Sequence, residues 1–124
     1  MERDKKYNQE QEVKIVFTAK GDSWDSQIDE RFGRMDMLVL FDEGSNSLEA
    51  IKIDTENMEH GAGLQTAQKV LAFHPDVIIT GNGAGNKALD ILKRSSVKMY
   101  IGAGGMSLKE AYEAYKNGKL NLQF

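Results

Sequence analysis

The chain has 124 residues, of which 40% are hydrophobic and 28% charged, and this length and mixture are typical of one soluble globular domain. Its net charge of −3 at pH 7 argues against the strongly basic surface on which non-specific nucleic-acid binding depends, and the absence of cysteine excludes disulfides, thiolate catalysis and thiolate metal ligands. No apolar run approaches the roughly 20 residues that cross a bilayer, and no secretory signal follows the start, so we expect a cytoplasmic protein with neither a nucleic-acid nor a membrane partner.

The first part of the sequence predicts a tail, a strand and a long loop. Residues 1–12 are mostly charged or polar and predict a disordered tail, so we expect residues 13–124 to form a single α/β domain. A buried first strand is predicted at residues 13–17, where apolar side chains are interrupted once. Residues 19–36 show neither helical nor strand periodicity and predict a loop.

Two further strands are predicted to form a hairpin. Residues 37–41 are uniformly apolar, and residues 42–46 are typical of a tight turn. The return strand is predicted at residues 48–53. Its Glu49 and Lys52 favour a position at the edge of the sheet, where charges discourage pairing with other molecules.

The second half of the sequence predicts helices that alternate with strands. Buried strands are predicted at residues 77–80 and 97–101, and the first helix is expected to end before Pro75. Ser107 and Glu110 have the spacing of a capping box and predict the start of the last helix. Three sets of apolar residues recur at helical spacing: Leu64, Ala67, Val70 and Leu71; Ala88, Leu89, Ile91 and Leu92; Leu108, Ala111, Tyr112 and Tyr115.

This order of elements predicts a five-stranded mixed sheet of order 3-2-1-4-5 with the second strand antiparallel. The arrangement resembles the three-layer, ribonuclease-H-like α/β architecture. Right-handed crossovers would bring the loops after the first, fourth and fifth strands to one carboxyl edge, where open α/β sheets bind ligands. The first strand has no carboxylate at its centre, so the resemblance in architecture does not predict nuclease chemistry.

Most of the glycines are predicted to lie at this carboxyl edge. Glycine allows close backbone approach and can expose amides to an anion, although short strand-to-helix turns also require it. The glycines concerned are Gly21, Gly33, Gly61, Gly63, Gly81, Gly83, Gly85, Gly102, Gly104 and Gly105.

The glycine loop at residues 81–85 does not match the common nucleotide-binding motifs. A dinucleotide fingerprint that begins at Gly81 would need a glycine where the chain has Asn86. A phosphate loop would need a Gly-Lys pair followed by a hydroxyl residue, and Lys87 is followed by Ala88. Binding of a simple anion at the start of the second helix, beside Lys87, remains an alternative.

A few single residues have both a structural and a functional interpretation. His60 is either a surface or capping residue or a ligand at the glycine-rich edge. Met58 and Met106 lie near this edge but are typical of gap-filling core residues. Trp24 in the long loop is either a packing anchor or a contact platform.

Four segments together resemble the dinitrogenase iron–molybdenum cofactor biosynthesis family of nitrogenase accessory proteins. They are residues 28–34 (Ile-Asp-Glu-Arg-Phe-Gly-Arg), residues 60–63 (His-Gly-Ala-Gly), residues 76–81 and residues 107–111. The likeness covers residues 13–120. It implies a ribonuclease-H-like domain that, in nitrogenase-associated members, binds the iron–molybdenum cofactor or a precursor iron–sulfur cluster and passes it between cofactor-biosynthesis proteins.

The resemblance also implies a set of site residues. Members often carry histidine directly before Phe-Gly-Arg, where this chain has Arg31, so His60 is the remaining candidate metal ligand. Arg31 and Arg34 would hold an anionic cluster through charge-assisted hydrogen bonds, although Arg34 could instead form an ion pair with Asp36 or Asp42. The candidate cofactor-binding residues are His60, Arg31, Arg34, Gly61, Gly81, Gly83, Gly85, Lys87 and Gly104.

The leading hypothesis is therefore a non-enzymatic binding or carrier domain for a metal cluster at the glycine-rich edge. A second hypothesis is an enzyme or sensor that binds a small phosphorylated metabolite there, although no nucleophile or acid–base pair is recognisable. A third is a protein-interaction module that uses the predicted edge strand at residues 48–53 or the tail.

Overall fold

The computed structural model describes residues 13–53 and 62–124, apart from the side chain of Ala62. The predicted tail at residues 1–12 lies outside the described residues, and so do His60 and Gly61. In the described part, none of the helices combines the length and the apolar composition that crossing a lipid bilayer requires.

Six strands of the described residues form one mixed sheet with the order β3-β2-β1-β4-β5-β6. β4 is parallel to β1 and to β5, and the other neighbouring strands are antiparallel. The five predicted strands have the predicted relative order, with the second antiparallel and the third at an edge. The prediction of five strands is wrong, because β6 adds a sixth strand beside β5. The strands are β1 Lys14–Ala19, β2 Met37–Asp42, β3 Ser47–Lys52, β4 Val77–Ile79, β5 Lys98–Ile101 and β6 Asn121–Leu122.

Helices cover both faces of the sheet and give three layers. Along β1, Val16 faces one side, whereas Ile15 and Phe17 face the other, as the alternation of a strand requires. Helices α1 and α2 pack on the Val16 side, and α3 packs on the Phe17 side. Their bounds are α1 Ala62–Ala72, α2 Asn86–Lys93 and α3 Leu108–Lys116.

The predicted capping box at the start of α3 is confirmed. The backbone N–H of Glu110 donates to Ser107 Oγ at 3.1 Å, and the N–H of Ser107 donates to Glu110 Oε1 at 2.9 Å. These two bonds satisfy amides that have no partner within the helix. They define the start of α3, which comes directly after the loop that follows β5.

The loop between β1 and β2 crosses the carboxyl edge of the sheet and is hydrogen-bonded to β1 and to the loops that follow β4 and β5. The N–H of Asp29 donates to Thr18 O at 2.8 Å, in β1. The N–H of Ile28 donates to Met106 O at 2.9 Å, after β5, and Glu30 O accepts from the N–H of Asn82 at 3.0 Å, after β4. The Ile-Asp-Glu-Arg segment therefore closes this edge.

Trp24 acts as a packing anchor, one of its two predicted roles. Its ring lies 5.9 Å from that of Phe17 and 4.9 Å from that of Phe41, edge to face, and 5.7 Å from the Tyr112 ring. These arrangements are favourable for aromatic rings. They attach the start of the long loop to the sheet and to α3.

Glu43 joins the hairpin to α3 and to the residue before β1. Its Oε2 accepts a short hydrogen bond from the Tyr112 hydroxyl and a 2.9 Å bond from Lys116 Nζ, and its Oε1 accepts from the N–H of Val13 at 3.0 Å. Burial acts to raise the pKa of Glu43, but these hydrogen bonds outweigh it and lower the pKa below the ordinary 4.5. The side chain is 9% exposed, so the bonds are shielded from water.

We expect Glu43→Gln to lower the free energy of unfolding by about 1–2 kcal/mol at neutral pH, because the neutral amide leaves Lys116 without its ion pair. A carboxyl whose pKa is lowered by folding stabilises the protein above its unfolded pKa. This stabilisation is lost as the pH falls below 4.5 through the folded pKa. Urea denaturation of both proteins should therefore show the difference shrinking in acid. Glu49→Gln on the exposed edge strand is the matched control, and a difference that stays constant with pH would contradict this role of Glu43.

Candidate functional site

A cavity of about 310 Å³ opens at the carboxyl edge between the starts of α1 and α2. The loop between β1 and β2 forms its third wall. Three of the predicted site residues, Arg34, Gly85 and Lys87, lie together in this cavity. The lining residues are Phe32, Gly33, Arg34, Gly63, Leu64, Gly85, Asn86, Lys87 and Ala88.

The start of α2 gives this cavity a positive character. The N-cap residue is Gly85, which has no side chain to accept from the first amides of the helix. The amides and the helix dipole therefore favour an anion here, and the side chains of Arg34 and Lys87 carry positive charges at the same place. Phe32 is buried beneath and belongs to the core.

His60 and Gly61 lie outside the described residues, so their predicted place in the site stays a prediction. In the sequence they directly precede α1, whose Gly63 lines the cavity. Among residues 13–53 and 62–124, no three side chains of histidine, aspartate or glutamate are grouped so that they could hold a metal ion.

Arg31 is placed at the edge but is bound to a buried acid. Its Nε lies 3.3 Å from Asp29 Oδ1 and its backbone N–H donates to the same oxygen at 3.0 Å. Asp29 is 1% exposed, and the hydrogen bond that the Arg31 guanidinium donates to its carboxylate raises the pKa of Arg31. Arg31 thus balances a charge inside the protein, although most of its own side chain faces solvent.

Gly81 and Gly104 both contact Glu30, a residue that the sequence analysis did not single out. A Cβ at Gly81 would lie 2.6 Å from Glu30 Cα, and one at Gly104 would lie 3.1 Å from Glu30 Cγ. These two glycines therefore make room for the crossing loop. The carboxylate of Glu30 also gives this part of the edge an acidic character, unlike the cavity beside α2.

Gly83 contacts Gln123, the second residue that the sequence analysis missed. Gln123 Oε1 accepts from the N–H of Ala84 at 3.2 Å, and its Nε2 donates to Ala84 O at 3.3 Å. The alternation of apolar and polar residues at 120–124 is a strand signal, although it does not indicate which strand the segment joins. No comparable sequence signal separates Glu30 from its acidic neighbour Asp29.

The edge therefore has two parts. Arg34, Gly85 and Lys87 meet in the cavity, whereas Gly81, Gly83 and Gly104 receive side chains from distant parts of the chain. The first part is able to hold an anion through amides and two cationic side chains. The second part positions the loops around it.

Comparisons with known proteins agree with this architecture. The apo form of the orange protein from Desulfovibrio gigas has a similar structure, with 27% sequence identity and a TM-score of 0.82 over 90% of this chain and 92% of that chain. A NifB-like protein of the DUF35 family from Thermotoga has 25% identity and a TM-score of 0.75 over 89% of this chain and 92% of that chain. No curated protein sequence matches significantly.

The family comparison extends over nearly the whole sequence. The model that describes the dinitrogenase iron–molybdenum cofactor family matches residues 12–118. This stretch contains both helices of the cavity and the crossing loop with its Phe-Gly-Arg segment. The chain belongs to the dinitrogenase iron–molybdenum cofactor family.

Proposed function

We propose that this chain is a non-enzymatic carrier domain that holds an anionic metal cluster, the iron–molybdenum cofactor or a precursor, in the cavity between the starts of α1 and α2. One observation carries the proposal: Arg34, Lys87 and the first turn of α2 converge on the same 310 Å³ cavity. Membership of the family supports the choice of an iron–molybdenum cofactor.

The chemistry of the cavity fits an anion held by charge and hydrogen bonds. The chain has no cysteine, and its described residues include no metal-ligating group of three histidines or acids. Full coordination by protein ligands is therefore not the basis of the proposal. We propose His60, three residues before Gly63 in the sequence, as a single nitrogen ligand.

The architecture and setting of the chain are part of the same proposal. Helices on both faces of a mixed sheet support a ribonuclease-H-like fold, used here for binding rather than for nuclease chemistry. A carrier would receive its cluster from one cofactor-biosynthesis protein and pass it to another in the cytoplasm. The openness of the edge to solvent at Gly85 and Lys87 suits such a transfer.

Titration of the protein with isolated iron–molybdenum cofactor under anaerobic conditions, followed by visible absorption, tests this proposal. We expect saturable binding by the wild type and an affinity about tenfold lower for Lys87→Ala or Arg34→Ala, because each loses one charge-assisted contact. Lys93→Ala is the matched control, since it removes the same charge from the last turn of α2, away from the cavity.

Two results would contradict the carrier proposal. One is an unchanged spectrum on addition of the cofactor to the wild type. The other is equal affinity in the wild type and in the Lys87→Ala and Arg34→Ala variants. His60→Ala separates the metal-ligand role from the electrostatic one, since loss of a nitrogen ligand alters the shape of the cofactor spectrum as well as the affinity.

A small phosphorylated metabolite is the second candidate ligand. The helix start at Gly85, which lacks a side-chain cap, favours a phosphate as well as a cluster. Thermal-shift measurements with phosphorylated metabolites discriminate between the two, because a ligand that binds only the folded state raises the melting temperature. A shift that depends on Lys87 without any uptake of cofactor would favour the metabolite.

A further inference from the structure

The last residues of the chain reach back to the loop that leads into α2. β6 pairs with β5, and the N–H of Gln123 donates to Met99 O in β5 at 2.7 Å. Phe124 packs against the core on the side of α1 and α2. The residues before and after Gln123 are therefore held by the pairing of β6 and by the packing of Phe124. This fixes the backbone position from which the Gln123 side chain extends.

The side-chain amide of Gln123 pairs with the backbone of Ala84 through two hydrogen bonds. Its oxygen accepts from the N–H of Ala84 at 3.2 Å, and its nitrogen donates to the carbonyl of the same residue at 3.3 Å. Both groups belong to the loop between β4 and α2, on the side of Asn82 that leads into the helix. The amide supplies the pairing that a neighbouring strand would otherwise give.

Gly83 is shaped to receive this side chain. Its φ is +91°, a conformation that residues with a side chain rarely adopt, and a Cβ there would lie 2.5 Å from Gln123 Oε1. Glycine is therefore required both for the turn and for the close approach. The absence of a side chain at Gly83 thus leaves the space in which the Gln123 side chain binds Ala84.

We propose that Gln123 is a positioning residue for the anion site, which fixes residues 83–85 so that the first turn of α2 and Lys87 face the cavity. This inference rests on the proposed function. Ala84 lies directly before the N-cap Gly85, so the position of Ala84 sets where the helix begins. A strand at the end of the chain would thereby control the geometry of a site formed by α1 and α2.

Gln123 supports the site and does not compete with its ligand. The amide that it occupies belongs to Ala84, whereas the amides that favour an anion belong to the first turn of α2, from Asn86 onward. Gln123 is also absent from the lining of the cavity. Removal of its side chain should therefore weaken anion binding.

Amide hydrogen exchange and ¹⁵N chemical shifts of the Gln123→Ala variant test the positioning role without any ligand. We expect exchange of the Ala84 amide to be about tenfold faster, because the hydrogen bond that it donates to Gln123 is lost, and altered shifts for the first turn of α2, because the loop before it is no longer held. Gln123→Glu keeps the acceptor and loses the donor, so its exchange should lie between those of the wild type and Gln123→Ala.

Two controls separate positioning from a general loss of stability. Asn121→Ala truncates an exposed polar side chain on the same strand, and Leu120→Val weakens the core on the α3 side without touching the loop. Neither should change the shifts of α2. In the titration with isolated iron–molybdenum cofactor, Gln123→Ala should bind about tenfold more weakly than both controls.

Unchanged exchange and shifts in Gln123→Ala would overturn the inference, and so would tighter binding of the cofactor, which would make Gln123 a competitor. Equal weakening by Leu120→Val would reduce its role to stability and would also overturn it. A wild-type protein that takes up no cofactor contradicts the proposed function instead, whereas the exchange and shift measurements still decide whether Gln123 positions α2.

Discussion

Replacement of Thr18 by valine is expected to lower the free energy of unfolding by about 2–4 kcal/mol, because it leaves two buried polar groups without partners. Thr18 is fully buried in β1. Its hydroxyl donates to Asp29 O at 2.7 Å and, with its one proton so used, accepts from the hydroxyl of Thr80 at 2.7 Å. Valine has the same shape, so the loss comes from hydrogen bonding rather than from a cavity.

Thr80→Val is the matched control for this prediction. Thr80 is equally buried, but its loss leaves the bond from Thr18 to Asp29 in place, so we expect a cost of about 1 kcal/mol. Urea denaturation measures both variants, and Thr18→Ser should recover most of the loss because it keeps the hydroxyl. Equal costs for the two valine variants would contradict the contribution assigned to the hydrogen bond from Thr18 to Asp29 O.

The Thr18 hydroxyl also illustrates how the core supports the edge above it. It holds the backbone of Asp29, whose carboxylate in turn binds the backbone and side chain of Arg31. The acidic residue between them, Glu30, fills the space beside Gly81. A change inside β1 is therefore expected to reach the crossing loop that forms one wall of the cavity.

Local signals in the sequence were sufficient for most of the fold. The buried composition of β1 and β4, the turn before β3 and the capping box at Ser107 each depend on residues close together in the chain, and the structure confirms all of them. The relative order of these strands then follows from the handedness of the crossovers. These predictions succeeded because each depends on residues that are neighbours in the sequence.

β6 escaped prediction because it depends on a distant partner. It is only two residues long, and its partner β5 lies about twenty residues earlier in the chain, so no neighbouring residue indicates the pairing. The contact of Gln123 with Ala84 likewise joins residues 39 positions apart. Sequence periodicity over so short a segment cannot fix which strand it joins.

The candidate site was predicted in part for a related reason. The helix start at Gly85 with Lys87 is a local feature, and the cavity contains it. A glycine that exposes amides and a glycine that admits another part of the chain look alike in a sequence, however. Gly83 and Gly104 belong to the second kind, since Gln123 and Glu30 occupy the space beside them.

Gly81 makes this distinction measurable, because Gly81→Ala is expected to lower the free energy of unfolding by about 2–3 kcal/mol through overpacking. The new Cβ would lie 2.6 Å from Glu30 Cα, a backbone atom that cannot rotate away, and Glu30 O is held by the N–H of Asn82.

Gly104→Ala should cost less than about 1 kcal/mol, since the 3.1 Å contact there is with Cγ of the flexible Glu30 side chain. Gly85→Ala is the control, with φ −75° and open space around the new Cβ, and should change stability by less than about 1 kcal/mol. Chemical denaturation in which Gly81→Ala costs no more than Gly104→Ala or Gly85→Ala would show that the close approach of the Glu30 backbone is not what requires glycine at position 81.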